Sequence, residues 1–221
     1  SNRFMESPGK GRELSKEEVQ DAQIGLLEWE IERLGKDPLT GVMARATFLK
    51  ELEHALKAMQ SPKHDKRKGS ETLRELSVLF IDLDNFKHVN EDNGHIEGDR
   101  VLVEAAKCIT KSVREGRDVV GRFGGDEFCV FLPRTNKEQA LIVGTNVLNE
   151  MRGNESLKLH DITASIGAYY VSSENSAGLT ATDIVKRADD AEIRAKKEGK
   201  NTIVIDGVDK NLYEPLRTTL Q

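Results

Sequence analysis

The stretch RFGGDEFCVFLP, residues 122–133, places two glycines and two carboxylates side by side between two apolar runs. The glycine pair, Gly124 and Gly125, permits positive φ at a tight turn and leaves no side chain to obstruct a ligand. Asp126 and Glu127 follow, and because successive strand residues alternate sides, only one of them shares a face with the turn. The pattern predicts a β-hairpin with a sharp, open and acidic turn. A solvated hairpin tip without a ligand has the same composition, so these residues alone leave both interpretations open.

A second pair of carboxylates, Asp82 and Asp84, ends the apolar run LSVLFIDLD at residues 76–84. Such a continuous run indicates a central strand buried on both faces, where carboxylates are costly unless they meet water or a cation. If this strand neighbours the hairpin, Asp82 and Asp126 converge at one end of the sheet. Two or three carboxylates with open positions suit Mg²⁺, which shares its ligands with substrate phosphates. The chemistry indicated is metal-assisted phosphoryl or nucleotidyl transfer.

These residues must be positioned by the strands and helices around them, and patterns of both kinds alternate along the chain. We predict strands at 76–84, 118–123, 127–132, 162–171 and 201–205, and helices at about 15–34, 46–59, 98–113, 137–151 and 182–197. Asn90 and residues 92–94 are of turn-forming types. The elements predict an α+β fold, similar to an α/β sandwich, with a mixed, largely antiparallel five-stranded sheet flanked by helices.

The helix predicted at 15–34 begins with Ser15 and Glu18 at the spacing of a capping box. Its apolar positions form a heptad seam, made of Ile24, Leu27, Ile31 and Leu34. A short coiled coil and an amphipathic helix packed on its own domain both fit this pattern. We therefore divide the chain into a lead-in with an N-terminal helix at 1–36, a catalytic domain at 37–206 and a tail at 207–221.

Composition limits the classes of function open to the 221-residue chain. Its net charge of −5 argues against broad binding to nucleic-acid backbones, which requires clustered positive charge. Cys108 and Cys129 sit in apolar patterns without metal-ligand spacing, which favours buried, reduced thiols. No stretch approaches the roughly 20 apolar residues of a spanning helix, and no signal-peptide pattern opens the sequence. We expect a cytoplasmic protein without direct membrane insertion.

Four separated motifs resemble those of the GGDEF-domain diguanylate cyclases, in the family's order. They are DPLTG from Asp37, FIDLDNFKHVNEDNGHIEGD from Phe80, RFGGDEF from Arg122, and SIGA followed by ADDAEIRAKKEGKN, which ends at Asn201. The family joins two GTP molecules into cyclic di-GMP. The resemblance implies a nucleotide-cyclase core, similar to the ferredoxin fold, after an N-terminal helical extension.

The resemblance assigns the acidic residues to metal binding and catalysis. Asp82, Asp126 and the backbone carbonyl of Leu83 correspond to ligands of Mg²⁺ or Mn²⁺, and Asp84 to a residue that assists a second cation. Glu127 corresponds to a residue near the attacking ribose hydroxyl or the second metal, with a role as general base.

Other positions correspond to the GTP site. Asn90 and Asp99 would recognise the guanine edge, and Lys196 and Lys200 the terminal phosphates. The set is completed by Phe86, Lys87, Gly124 and Gly125. Lys196 and Lys200 also lie near the predicted C-terminus of a helix, where cations complement the helix dipole without any ligand.

The resemblance implies that activity requires a homodimer, with one GTP on each protomer. Members often carry a sensory domain on the N-terminal side, and none is visible in this sequence. Two other interpretations stay open: a catalytically silent GGDEF domain that acts as a receptor for GTP or cyclic di-GMP, and a purely structural dimerisation module. Intact Asp82, Asp126 and Glu127 favour the enzyme.

One departure from the family generates a prediction. Many members carry an inhibitory Arg-x-x-Asp motif before the glycine pair, and here that register holds Glu115 and Asp118, with Arg114 displaced by one position. We therefore expect product inhibition through this site to be weak or absent. Titration of the chain with cyclic di-GMP in a calorimeter tests this, and tight binding away from the active site would contradict it.

Overall fold

The computed structural model describes residues 35–61 and 73–208, together with residues 15, 19, 20 and 23. Contacts divide the chain into two units, Ser1–Leu34 and Gly35–Gln221, which are described separately. In the first unit, residues 19, 20 and 23 are helical, and Val19 N donates to Ser15 O at 3.0 Å. The predicted heptad seam, Glu18 of the predicted capping box and residues 209–221 of the tail lie outside the described residues. The coiled coil and the domain boundaries therefore stay predictions.

Strands and helices alternate through the described part of the second unit. The strands are β1 Met43–Ala44, β2 Glu75–Asp84, β3 Val119–Arg122, β4 Glu127–Pro133, β5 Thr163–Ser172 and β6 Thr202–Ile205. The helices are α1 Arg45–Gln60, α2 Phe86–Asn93, α3 His95–Lys111, α4 Lys137–Gly153, α5 Glu155–Leu159 and α6 Ala181–Lys197. None of the helices in these described ranges has the length and apolar character that crossing a bilayer requires.

The strands form one mixed sheet in the order β1-β3-β4-β2-β5-β6. Strand β2 is central and pairs antiparallel with β4 and β5, while β1 pairs parallel with β3 and β5 with β6. The predicted mixed, largely antiparallel sheet is confirmed, but it has six strands instead of five. The additional strand β1 pairs only Met43 with Gly121 and Ala44 with Arg122, and two residues are too few to produce an alternating pattern.

Both faces of β2 are buried, which accounts for its continuous apolar run. On one face Leu79, Ile81 and Leu83 join a core with α2, α3, α4 and α5. On the other face Val78 and Phe80 join a second core with α1 and α6. Helices thus cover both sides of the sheet, as the α+β prediction requires.

Two short helices differ from the prediction. Asn90 and residues 92–93 lie inside α2, an eight-residue helix, and not in a turn. Only Phe86 and Val89 of this helix are buried, so its apolar pattern is too brief to detect from sequence. Gly94 ends the helix with φ of 83°, a conformation that favours glycine, and α3 begins at the next residue. Helix α5 was not predicted; its start is capped by the Asn154 side chain, which accepts from Leu157 N.

Helix α6 packs against β5 at Gly167, where two backbones approach closely. A Cβ at Gly167 would lie 2.7 Å from the backbone carbon of Ala191, and it would also collide with Ala188 O and Glu192 N. Glycine is required here because it has no side chain to hold the helix away. This contact determines how far the last turns of α6 lie from the sheet.

The close approach predicts that Gly167→Ala destabilises the domain by about 1–3 kcal/mol or more, the range for overpacked cores. The atoms in the way belong to the helix backbone, so they cannot rotate aside as a side chain would. The free energy of unfolding from urea titration measures the effect.

Gly153→Ala is the matched control, since a Cβ at that position meets nothing within 4 Å. We expect its free energy of unfolding to stay within about 1 kcal/mol of the parent chain. Equal stability of the two variants would contradict the packing argument.

Candidate active site

The turn between β3 and β4 is held by its own backbone and by Arg122. Phe123 N donates to Glu127 O at 2.8 Å across the turn. The Arg122 guanidinium donates to the carbonyls of Gly124 (3.1 Å) and Gly125 (2.7 Å). Positive φ, which the glycine pair permits, is not adopted by either glycine. A Cβ at Gly124 would lie 2.6 Å from Glu127 Oε2, whereas the surroundings of Gly125 are open, as expected of a turn that a ligand can approach.

Phe123 anchors this turn in the core beneath it. Its ring makes edge-to-face contacts with Phe48 and Phe80, with centroids 5.1 and 6.0 Å away. Arg45 lies over the same ring at 5.3 Å. Aromatic contacts of this kind add to the stabilisation from burial. The turn is therefore fixed by Arg122 and by Phe123, although the surroundings of Gly125 are open.

Arg122 also connects the turn to the DPLTG motif. Its Nη1 lies 3.2 Å from Asp37 Oδ1, and both side chains are largely shielded from solvent. Asp37 accepts further hydrogen bonds from Thr40 N (2.8 Å) and Thr40 Oγ1 (2.6 Å). Burial opposes the charge of Asp37, but the Thr40 hydrogen bonds and the Arg122 charge outweigh it and lower the pKa of this carboxyl. Two motifs far apart in sequence thus share one ion pair.

Pairing of β2 with β4 assembles what we name the acidic cluster: Asp82, Asp126 and Glu127. Asp82 is directly opposite Glu127 in the register, so these two side chains share a face. Leu83 N donates to Asp126 O at 3.2 Å, which places the Leu83 backbone beside Asp126. Burial raises the pKa of Asp82, and the charges of Asp126 and Glu127 raise it further against the opposing effect of Lys196. The three carboxylates are therefore close enough to repel one another.

Lys196 of α6 neutralises part of this charge. Its Nζ lies 2.8 Å from Asp82 Oδ2 and 3.0 Å from Glu192 Oε1. Burial disfavours the ammonium, but its contacts with Asp82 and Glu192 prevail and raise the pKa of Lys196. Glu192 was not among the predicted site residues, although a carboxylate within the buried stripe of α6, between Ala188 and Ala195, is a signal visible in the sequence.

Asp84 has hydrogen-bond partners of its own at the end of β2. It is 2% exposed, and its oxygens accept from Thr163 Oγ1 (2.7 Å), Ser165 Oγ (2.8 Å) and Asn201 N (3.1 Å). These bonds tie the end of β2 to β5 and to the segment that enters β6. Assistance of a second cation by Asp84 stays a prediction, and because both of its oxygens already accept hydrogen bonds we leave it out of the proposed metal site.

The residues expected to recognise guanine lie where α2 meets α3. Asn90 is half-buried against Gly98, where a Cβ would collide with the Asn90 side chain, and Asp99 follows with an exposed side chain. Phe86 is a core residue, 8% exposed, so its ring offers little surface to a ligand. Lys87 is exposed and pairs with Glu91 at 3.4 Å.

Lys200 lies beyond the C-terminus of α6 and turns back towards the end of β2. Its Nζ donates to Asn85 Oδ1 at 3.1 Å, and Asn85 Nδ2 donates to Asp161 O at 3.2 Å. Sequence analysis did not single out Asn85, which joins β2 to α2 with φ of 66°. Asn85 therefore holds Lys200 near the end of β2 that carries Asp82.

The position of the inhibitory motif is occupied by an internal ion pair. Arg114 donates to Asp118 through its backbone N (2.7 Å) and Nη2 (2.7 Å), and Nη2 also reaches Pro133 O and Thr135 Oγ1. Glu115 is exposed. Because Arg114 is committed to these partners, the prediction of weak product inhibition is physically reasonable.

The donor set of the acidic cluster suits a hard divalent cation. Within the described ranges, no three His, Cys, Asp or Glu side chains are arranged to hold a metal ion. Asp82, Asp126 and the neighbouring Leu83 backbone offer only oxygen, and the mutual repulsion of the carboxylates is the charge that a cation would relieve. Such a partial set fits a metal that takes its other ligands from a bound nucleotide.

Burial of Glu192 predicts a pH dependence of stability. Its burial raises its pKa to about 7, although Lys196 opposes this, so the folded chain holds a proton there that the unfolded chain loses near pH 4.5. Stability should therefore fall as pH rises from about 5 to 8, by about 1–3 kcal/mol more in the parent than in Glu192→Gln. Urea titrations of both chains across this range in metal-free buffer measure the difference. Parallel curves would contradict the assignment.

Comparison with known proteins matches residues 35–202 to the family described as "Diguanylate cyclase, GGDEF domain". Diguanylate cyclase A of Treponema denticola is 38% identical over 133 residues, 59% of this chain and 35% of that protein. Diguanylate cyclase DgcM of Escherichia coli K12 is 36% identical over 131 residues, 59% of this chain and 31% of that protein. The chain thus spans about a third of the length of these curated relatives.

Solved structures agree with the sequence match. Diguanylate cyclase SiaD of Pseudomonas aeruginosa, solved with its activator SiaC, superposes with a TM-score of 0.66 at 32% identity, over 86% of this chain and 68% of that chain. The coiled coil and GGDEF domain of DgcB from Caulobacter crescentus has a TM-score of 0.69 at 22% identity, over 85% and 95%. The second match shows the fold alone. Family match, relatives and fold agree with the four motifs and the acidic turn, and the chain belongs to the GGDEF-domain family of diguanylate cyclases.

Proposed function

We propose that this protein condenses two molecules of GTP into cyclic di-GMP and two pyrophosphates, with Mg²⁺ or Mn²⁺ as cofactor. The observation that carries the proposal is the acidic cluster beside an open glycine turn, with Lys196 bound to Asp82 at 2.8 Å. Carboxylates and a lysine at one sheet edge are the groups that a metal-bound triphosphate requires.

The metal would be held by Asp82, Asp126 and the backbone carbonyl of Leu83. When bound, the cation supplies charge neutralisation at the phosphates, which makes the α-phosphorus more electrophilic. Glu127, paired across the strands from Asp82, is assigned to the attacking hydroxyl or a second cation.

Nucleotide binding would extend from the acidic cluster towards α2 and α3. Asp99 and Asn90 would recognise the guanine edge, Lys196 and Lys200 the terminal phosphates, and the backbone of Gly124 and Gly125 would border the phosphate chain. Exposure of Asp99 and Lys200 leaves both side chains accessible to a ligand. Lys87 would lie near the phosphates, and Phe86 would support the nucleotide site from the core.

The reaction requires two active sites that face each other. The 3′-hydroxyl of one GTP forms a bond to the α-phosphorus of the other, the bond to the pyrophosphate oxygen breaks, and the hydroxyl proton passes to Glu127. The second hydroxyl repeats the step and closes the ring, so two pyrophosphates leave. Placing each nucleotide on its own protomer turns a chance encounter into an oriented one.

The proposed organisation follows from this requirement. A homodimer is the active form, and a coiled coil at 15–34 would hold two domains at a defined distance. The boundaries at 36/37 and 206/207, a cytoplasmic location and a sensory domain upstream of this sequence are parts of the same proposal.

Asp126→Ala should lower cyclic di-GMP formation by at least about 100-fold, because it removes a charged ligand at the reacting phosphate. Incubation of the chain at high concentration with GTP and Mg²⁺, followed by chromatography, measures the product. Asp190→Ala is the control, since Asp190 is an exposed α6 carboxylate paired with Lys186. If the parent chain binds GTP or cyclic di-GMP but makes no product, the receptor interpretation replaces the enzyme.

A further inference from the structure

The two carboxylates that contact Lys196 differ in their surroundings. The Asp82 side chain is 15% exposed and belongs to the acidic cluster. The Glu192 side chain is 3% exposed, and its Oε1 makes no hydrogen bond of good geometry beyond the 3.0 Å ion pair with Lys196. Asp82 can therefore change partner, whereas Glu192 has no other cation among the described residues.

Binding of a divalent cation to Asp82 would separate Lys196 from this partner. The ammonium lies 2.8 Å from Asp82 Oδ2, the oxygen that a metal would contact or neighbour. An ammonium and a divalent cation repel each other at such a distance. Lys196 is 37% exposed and has a long stem, so without another anchor it would turn towards solvent.

We propose that Glu192 is a positioning residue for Lys196. When Asp82 binds the metal, Glu192 keeps the Lys196 ammonium near the end of β2, from where it can contact the nucleotide phosphates. The inference deepens the proposed function and rests on its metal–nucleotide site. No contact of Glu192 with the substrate is implied.

The fold keeps Glu192 in place for this role. Glu192 N lies directly over Gly167 of β5, so this turn of the helix packs closely on the sheet, and the Glu192 side chain is 3% exposed. Lys196 follows one helical turn later, at the i,i+4 spacing that lets two side chains meet. A hydrogen-bonded pair of Thr180 and Asp183 caps the start of the same helix. Glu192 is thus held in a fixed position, while the partly exposed Lys196 ammonium can change its orientation beside it.

Charge explains why a buried carboxylate is tolerated. An unpaired ionised glutamate at this burial is costly, and Lys196 is the partner that offsets the cost. Asp82 and Asp189 both act on Glu192 with negative charge, so they oppose its ionisation. Neutral Glu192→Gln keeps the shape, removes the anchor charge and leaves Asp82 as the remaining carboxylate partner of Lys196.

The test measures Mn²⁺ binding in the presence of GTP at about pH 8, above the raised pKa of Glu192, so that this carboxylate is ionised. The EPR signal of free Mn²⁺ gives the bound metal after subtraction of the Mn²⁺ that GTP holds in a titration without protein. In Glu192→Gln, Lys196 competes more strongly with the metal for Asp82, and we expect the apparent dissociation constant for Mn²⁺ to rise about three- to tenfold. Asp190→Asn is the matched control, because Asp190 forms an exposed i,i+4 pair with Lys186 on the same helix. It should leave the constant within about twofold. Glu192→Met provides a second, apolar variant in case Glu192→Gln does not fold.

A double-mutant cycle with Lys196→Met separates positioning from packing. If Glu192 acts through Lys196, Glu192→Gln should change Mn²⁺ binding no further in the Lys196→Met background. An equal change in both backgrounds, or no change in the parent background, overturns the inference.

Cyclic di-GMP synthesis, measured on the same proteins, separates this inference from the proposed function. A parent chain that is inactive but shows the Lys196-dependent effect on Mn²⁺ contradicts the cyclase and supports Glu192 as a positioning residue. An active parent whose Mn²⁺ binding is unaffected by Glu192→Gln supports the cyclase and contradicts the positioning role of Glu192. A parent that does not bind Mn²⁺ with GTP contradicts both.

Discussion

The site depends on the antiparallel pairing of β2 with β4, which brings like charges together at one end of a buried sheet. Asp82 is placed opposite Glu127, and Asp126 lies in the turn beside the Leu83 backbone. In a half-buried position such carboxylates repel each other, and the raised pKa of Asp82 expresses that cost together with its burial. A fold accepts this arrangement where a cation relieves it. In this structure the Lys196 ammonium takes that role at 2.8 Å from Asp82.

The rest of the domain keeps this arrangement from relaxing. Gly167 lets α6 approach β5 closely enough for Lys196 to contact Asp82. Arg122 holds the carbonyls of the turn and pairs with Asp37, so the acidic turn cannot swing away from the start of the domain. Asp84 closes the end of β2 with three hydrogen bonds. Each contact joins segments that are distant in the chain, which makes the site a property of the whole fold.

Glycines illustrate how one residue type serves different purposes. The glycine pair in the turn does not have positive φ, and Gly124 instead leaves space that the Glu127 side chain occupies. Gly94 uses positive φ to end α2, and Gly167 permits backbone contact between a helix and a strand. The sequence pointed to the glycine pair and placed Gly94 among turn-forming residues, whereas the requirement for glycine at position 167 appeared only in the structure. Glycine is needed at each position for a different reason, because each position has different neighbouring residues.

The α+β class, five of the six strands, the family motifs, and the positions of Asp82 near the end of one strand and Asp126 beside the glycine turn could all be predicted without coordinates. Periodicity and turn chemistry are local, so they can be read without coordinates. The three-dimensional packing was needed to show that Asp84 is buried and hydrogen-bonded and that Lys196 joins Asp82 to Glu192. It also decided that Arg122 pairs with Asp37. These outcomes depend on which helix covers which strand and at what distance, and no local pattern records contacts between residues so far apart in the chain.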